Sequence, residues 1–139
     1  MEQILNDFNC CQKTFSSVSD LLDLDEETIL KIASGFGGGL QHGEVCGCVT
    51  GALMAIGLKL GSDDPTDAVA RDLVSQTFEQ YITAFREKFG CVRCQELLGL
   101  EEYTPETKNA AREAGRIAEV CPGLIAFAQA KVRELLENA

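Results

Sequence analysis

The chain has 139 residues, 45% of them hydrophobic and 24% charged, with no tryptophan. That length suits one domain with a buried core, and that balance is globular rather than disordered or fibrous. The 22 acidic and 12 basic residues give a formal charge of −10, which repels phosphate backbones and anionic bilayers, so neither nucleic acid nor a membrane is an expected partner.

In chain order, Asn9 caps an expected helix from Cys10 to about Leu22, with Phe15, Val18, Leu21 and Leu22 on one side. Asp25 caps the next, whose acidic first turn (Glu26, Glu27) suits the helix dipole and which Gly35 ends. The stretch GFGGGLQHGE is too rich in glycine for helix or strand and reads as a loop. A helix over 46–60 follows. Pro65, behind Asp64, takes the favoured first position of a long helix to about Phe89, closed by Gly90. Its Val74, Phe78, Tyr81, Ile82 and Phe85 recur at helical spacing. A short helix is expected from about Cys91 to Leu98, and another from Pro105 with Thr104 as cap. The last is expected to begin at VCPG, with Cys121 as cap and Pro122 first, and to reach Leu136. The ALMAIGL and GLIAFAQA stripes read as core. No run alternates in the manner of a strand, so residues 1–139 are expected to form one cysteine-rich, all-α domain of about six to seven helices.

Met1-Glu2-Gln3 opens without the basic segment and apolar run of a signal peptide, and no apolar stretch approaches the roughly 20 residues that span a bilayer. A cytoplasmic location is the expectation, and there seven cysteines are anomalous. Cys10, Cys46, Cys91 or Cys94, and Cys121 each fall in or beside the first turn of an expected helix. Free amides and the dipole at such a turn favour thiolate over thiol and lower a pKa of about 8.5. If those helix ends converge, they make a thiolate pocket fit for redox or metal chemistry. The competing reading is that cysteine simply packs as a small hydrophobe.

CVRC, from Cys91 to Cys94, is the strongest local signal, since a helix brings thiols three apart onto one face. Gln95 follows it where a covalent haem site needs histidine, so covalent haem is not expected. His42, the only histidine, reads as a solvent-exposed loop residue more readily than as a ligand. GFGGGLQHG lacks the GK[ST] ending of a phosphate loop and follows a helix, so no nucleotide is expected. Cys46, at the start of its helix, is expected to be more reactive than Cys48, whose side chain is turned toward the core.

The blocks FNCCQ, GFGGGLQHGEVCGCVTGALMAIGL, CQELLG, TPE and VCPG together resemble the C_GCAxxG_C_C family of redox-active proteins, over roughly residues 8–127. A domain of the same type looks to be present in split-Soret cytochrome c. The resemblance places the family's four cysteines on Cys10, Cys46, Cys94 and Cys121, the set that the helix starts select. Cys11, Cys48 and Cys91 look like additions.

Two functions follow as expectations. In one, the chain is a thiol-dependent oxidoreductase or electron carrier, with Cys91 and Cys94 as attacking and resolving thiols and Cys46 or Cys121 passing electrons on. It would serve a redox partner protein, with a homodimer allowed. In the other, Cys10, Cys46, Cys94 and Cys121 ligate an iron–sulfur cluster or another thiophilic metal without catalysis. A plain helical interaction module is the third alternative.

Overall fold

A computed structural model describes residues 8–139. Helix accounts for 73% of them, and no strand is present among them. The expected all-α domain is what the chain forms. Seven α-helices run in order: α1 (Cys10–Ser16), α2 (Glu26–Ala33), α3 (Gly47–Leu60), α4 (Ala68–Phe89), α5 (Cys94–Leu97), α6 (Pro105–Glu113) and α7 (Arg116–Glu137). A 3-10 turn at Ser19–Leu21 and a wide turn at Gly39–Gly43 complete the set.

The helix caps follow from local chemistry. Asn9 and Thr104 form capping boxes with Gln12 and Thr107, and Asp25 accepts from Thr28 N–H. Gly90 ends α4 in the left-handed conformation at φ 86°. Helix boundaries differ from expectation at α1, α4, α5 and α7. α1 stops at Ser16 rather than near Leu22, because Arg133 of α7 donates to the freed Ser17 carbonyl at 2.8 Å and pairs with Asp20 at 2.7 Å. α4 begins at Ala68 rather than Pro65. Asp64 turns the chain back onto Thr66, and Asp67 takes the cap. α7 begins six residues before Pro122, which lies inside the helix.

α3 is the central helix, with α1, α4 and α7 packed on it. Val49, Ala52, Ala55 and Ile56 of α3 meet Phe15 of α1, Tyr81 and Phe85 of α4, and Leu124, Ala128 and Val132 of α7 in one buried cluster. The two stripes expected as core supply much of it, though Leu53 and Leu58 of α3 stay on the surface. No helix among the described residues is long and apolar enough to cross a membrane.

Candidate functional site

α1 crosses α3 at Gly47 and Gly51, and the closeness depends on both lacking a side chain. A Cβ at Gly47 would stand 2.5 Å from the Cys10 sulfur and 2.7 Å from the Cys11 nitrogen; one at Gly51 would stand 2.9 Å from the Cys11 carbonyl oxygen. The crossing sets Cys10, first residue of α1, against the N-terminus of α3.

A backbone bridge brings in the next thiol. Val45 and Arg93 pair antiparallel, with Cys46 N–H donating to Val92 O at 2.8 Å and Cys94 N–H donating to Glu44 O at 2.7 Å. The extended backbone at Arg93, within this pairing, also delays α5 until Cys94. The helix expected from Cys91 is therefore one turn, and Cys91 lies outside it, so the two thiols of CVRC do not share a helical face. Ahead of the bridge, the loop over 38–43 turns through left-handed backbone, including Leu40 (φ 59°) and Gln41 (φ 63°). His42 is exposed there, as expected, with its Nδ1 3.0 Å from Leu40 O.

Cys10, Cys46, Cys94 and Cys121 line one cavity of about 360 Å³, together with Cys48. The expected convergence of the four therefore takes place. Cys121 reaches it from the interior of α7, not from the helix start expected at VCPG. Cys91 and Cys11 do not line it. Cys11 is fully buried beneath α3, and burial pushes its thiol up to about 11. Cys91 is partly exposed elsewhere.

Within the cavity the charge settles on Cys10. The thiols of Cys46 and Cys48 donate toward its sulfur, the amides of Gly38 and Gly47 add to them, and the Cys10 pKa falls far below the ordinary thiol range despite burial. The Cys46 thiol is pushed up first by its hydrogen bond to Cys10, and that of Cys48 for the same reason. Cys46 does accept the expected amide hydrogen bond, from Cys48 N–H at 3.5 Å. The hydrogen bond to Cys10 has the larger effect on the Cys46 thiol, so the helix start at Cys46 supports a thiolate on its neighbour. Cys48 is fully buried, as the expected rotation toward the core implied, and its carbonyl accepts from Tyr81 Oη at 2.7 Å.

Cys94 and Cys121 are raised chiefly by burial, Cys121 to about 11. Among the described residues no group of three or more His, Cys, Asp or Glu side chains is arranged to hold a metal ion. The wall supplies soft donors without a ready coordination site.

Sequence reasoning missed Tyr103, Lys13, Lys108 and Arg112, which line the same cavity. The Tyr103 hydroxyl is buried beside Cys94 and has no nitrogen or oxygen partner among the described residues. Its ring lies against Gly43 (φ 73°), where a Cβ would stand 2.6 Å away. The spacing of Lys108 and Arg112, four apart on α6, was the available signal.

No curated protein and no solved structure matches the chain. The family described as "Putative redox-active protein (C_GCAxxG_C_C)" matches residues 8–135, a span that holds every cavity thiol and all the helices but the last two residues of α7. The chain belongs to the C_GCAxxG_C_C family.

Proposed function

We propose that the chain is a dithiol–disulfide redox protein in which Cys10 attacks and Cys46 resolves. The observation that carries this reading is the meeting of the Cys10, Cys46 and Cys48 thiols, with the Gly38 and Gly47 amides, at the wall of an accessible cavity. The Cys10 thiolate attacks one sulfur of a substrate disulfide. That S–S bond breaks, a mixed disulfide forms on Cys10, and the first substrate half leaves as a thiolate. Cys46, on losing its proton to that leaving group, attacks the Cys10 sulfur and expels the second half. The Cys10 thiolate and the Cys46 thiol become one disulfide, and the substrate gains two electrons, one proton from Cys46 and a second from solvent. The attacking role expected of Cys91 moves to Cys10 because Cys91 does not line the cavity.

Metal or cluster ligation by Cys10, Cys46, Cys94 and Cys121 is the second reading, favoured by their common wall and requiring that wall to draw inward. Iron, zinc and sulfide analysis of protein purified without oxygen decides it.

The redox reading is tested by reacting the reduced chain with bis(2-hydroxyethyl) disulfide, quenching in acid and mapping the products by mass. The expected products are a mixed disulfide on Cys10 and then a Cys10–Cys46 bridge. The Cys10 rate should stay nearly flat from pH 5 to 8, whereas an ordinary thiol gains about tenfold per pH unit there. First adducts on Cys91, or a Cys10 rate that climbs tenfold per unit, overturn the reading.

A further inference from the structure

The cavity departs from the charge of the rest of the chain. In a protein with 22 acidic residues, no described carboxylate lines it, yet Lys13, Lys108 and Arg112 do. None of the three is in an ion pair among the described residues. Lys108 and Tyr103 bring their polar ends to one place: a Cβ at Gly38 would stand 3.1 Å from the lysine Nζ and 2.6 Å from the tyrosine hydroxyl oxygen. Gly38 is also the residue whose amide faces the Cys10 sulfur. The buried Tyr103 hydroxyl, beside Cys94, and the two cations of α6, neither of them ion-paired among the described residues, thus share the cavity wall with the attacking atom.

A bland account would give these cations the task of holding the thiolate. Cys10, however, is stabilised by neighbouring thiols and amides, and none of the three cations is among the causes of its shift. Lys108 also favours ionisation of Cys94 and Cys121, and Lys13 that of Cys121, but burial outweighs them there. No charged partner among the described residues of the cavity therefore neutralises the three.

We propose that the cavity binds small anionic disulfides, whose carboxylates sit on Lys108 and Arg112 while one sulfur is presented to Cys10. The proposal rests on the exchange chemistry above and names its substrate class. Lys13 of α1 adds a third cation to the cavity wall, and the Tyr103 hydroxyl donates to the same carboxylate as Lys108. The overall field works against such a ligand, because a chain of charge −10 draws cations and repels anions at long range. A preference for anions must therefore arise inside the cavity.

The test compares three disulfides of similar size with the reduced full-length chain: 3,3′-dithiodipropionate, an anion; bis(2-hydroxyethyl) disulfide, neutral; and cystamine, a cation. The anion should modify Cys10 about tenfold faster than the neutral compound, and cystamine should be slowest, the low end of what a cleft of one sign achieves. The double substitution Lys108→Glu, Arg112→Glu should remove that preference. Lys59→Glu, on the exposed end of α3 and remote from the cavity, changes charge in the same direction and should retain it. Equal rates, or cystamine fastest, overturn the proposal. Iodoacetate and iodoacetamide labelling, scored at Cys10 relative to Cys91, reads the same preference without any exchange. If no disulfide reacts but Cys10 favours iodoacetate, the anion site stands and the exchange reading fails. If Cys10 and Cys91 show the same iodoacetate-to-iodoacetamide ratio, the anion site is refuted.

Discussion

α3 is gripped in two unlike ways. Where α1 crosses it, contact depends on what is missing: Gly47 and Gly51 present bare backbone, and Cys10, Cys11 and Thr14 fill the space. On the α4 side, contact depends on volume. Tyr81 and Phe85 of α4 are fully buried against the α3 core, and Phe85, Phe89 and Phe127 pack with ring centroids 4.9 to 6.0 Å apart. Large side chains bury area and hold the fold, but they keep backbones apart. Small ones bury little and let several sulfurs and amides meet. The molecule concentrates stability in one region and chemistry in the other.

The largest expected effect breaks the voluminous side. Phe85→Ala should cost about 3–5 kcal/mol in denaturant titrations of the reduced protein, the usual range for a buried phenylalanine. Wherever the variant remains folded, the order of thiol reactivity should persist, with Cys10 still the site whose labelling is flat with pH. Loss of that order in folded protein would show that the two regions are not separable.

Gly47→Ala attacks the other side. A methyl group there meets the Cys10 sulfur and the α1 backbone, so α1 must move, at a cost of about 1–3 kcal/mol for overpacking. Its signature is disproportionate. The flat pH profile of Cys10 labelling should be replaced by one that climbs with pH, because the Gly47 amide and the Cys46 thiol lose their alignment on that sulfur. A stability loss with an unchanged profile would mean that the close crossing does not set the thiolate.

The smallest effect has the opposite sign. Gly57 lies on the same helix with nothing within 4 Å of the position a Cβ would take. Gly57→Ala should stabilise the protein by about 0.5–1 kcal/mol, read as a raised midpoint, with thiol chemistry unchanged. Destabilisation would show that the open space at Gly57 is needed by something that binds there.

Legibility in the sequence followed the range of the forces involved. Asn9, Asp25, Thr104 and Gly90 act within a few residues of themselves, and each was placed correctly as a cap or stop. Pro122 misled because the apolar stripe of α7 continues through it to Leu124, Ala128 and Val132. Packing that stripe on α3 outweighs the one helical hydrogen bond that proline forfeits. The bridge between Val45 and Arg93 joins positions 48 apart and leaves no local trace, so the start at Cys94 was unreadable. The set Cys10, Cys46, Cys94 and Cys121 was legible, and so was the burial of Cys48. Which sulfur carries the charge was not. That depends on three thiols competing for one proton deficit across the α1–α3 crossing, and on geometry that no helix-start argument contains.

The cavity thiols also tie folding to proton concentration. The folded chain holds Cys10 deprotonated where the unfolded chain binds a proton, so its share of stability grows as pH rises to the ordinary thiol value of 9.0. That share disappears as pH falls through the lowered value. At Cys11 and Cys121 the linkage is reversed: burial pushes both thiols up to about 11, so the folded chain keeps protons that the unfolded chain releases. Their share is whole below pH 9 and is lost as pH climbs toward 11. For these three thiols alone, the two limbs meet near pH 9. Capping Cys10 flattens the rising limb and also eases the falling one, because burial is the first cause of the raised Cys11 and Cys121 thiols but the Cys10 charge adds to it. The oxidation state of a single sulfur is thus written into both sides of the stability curve.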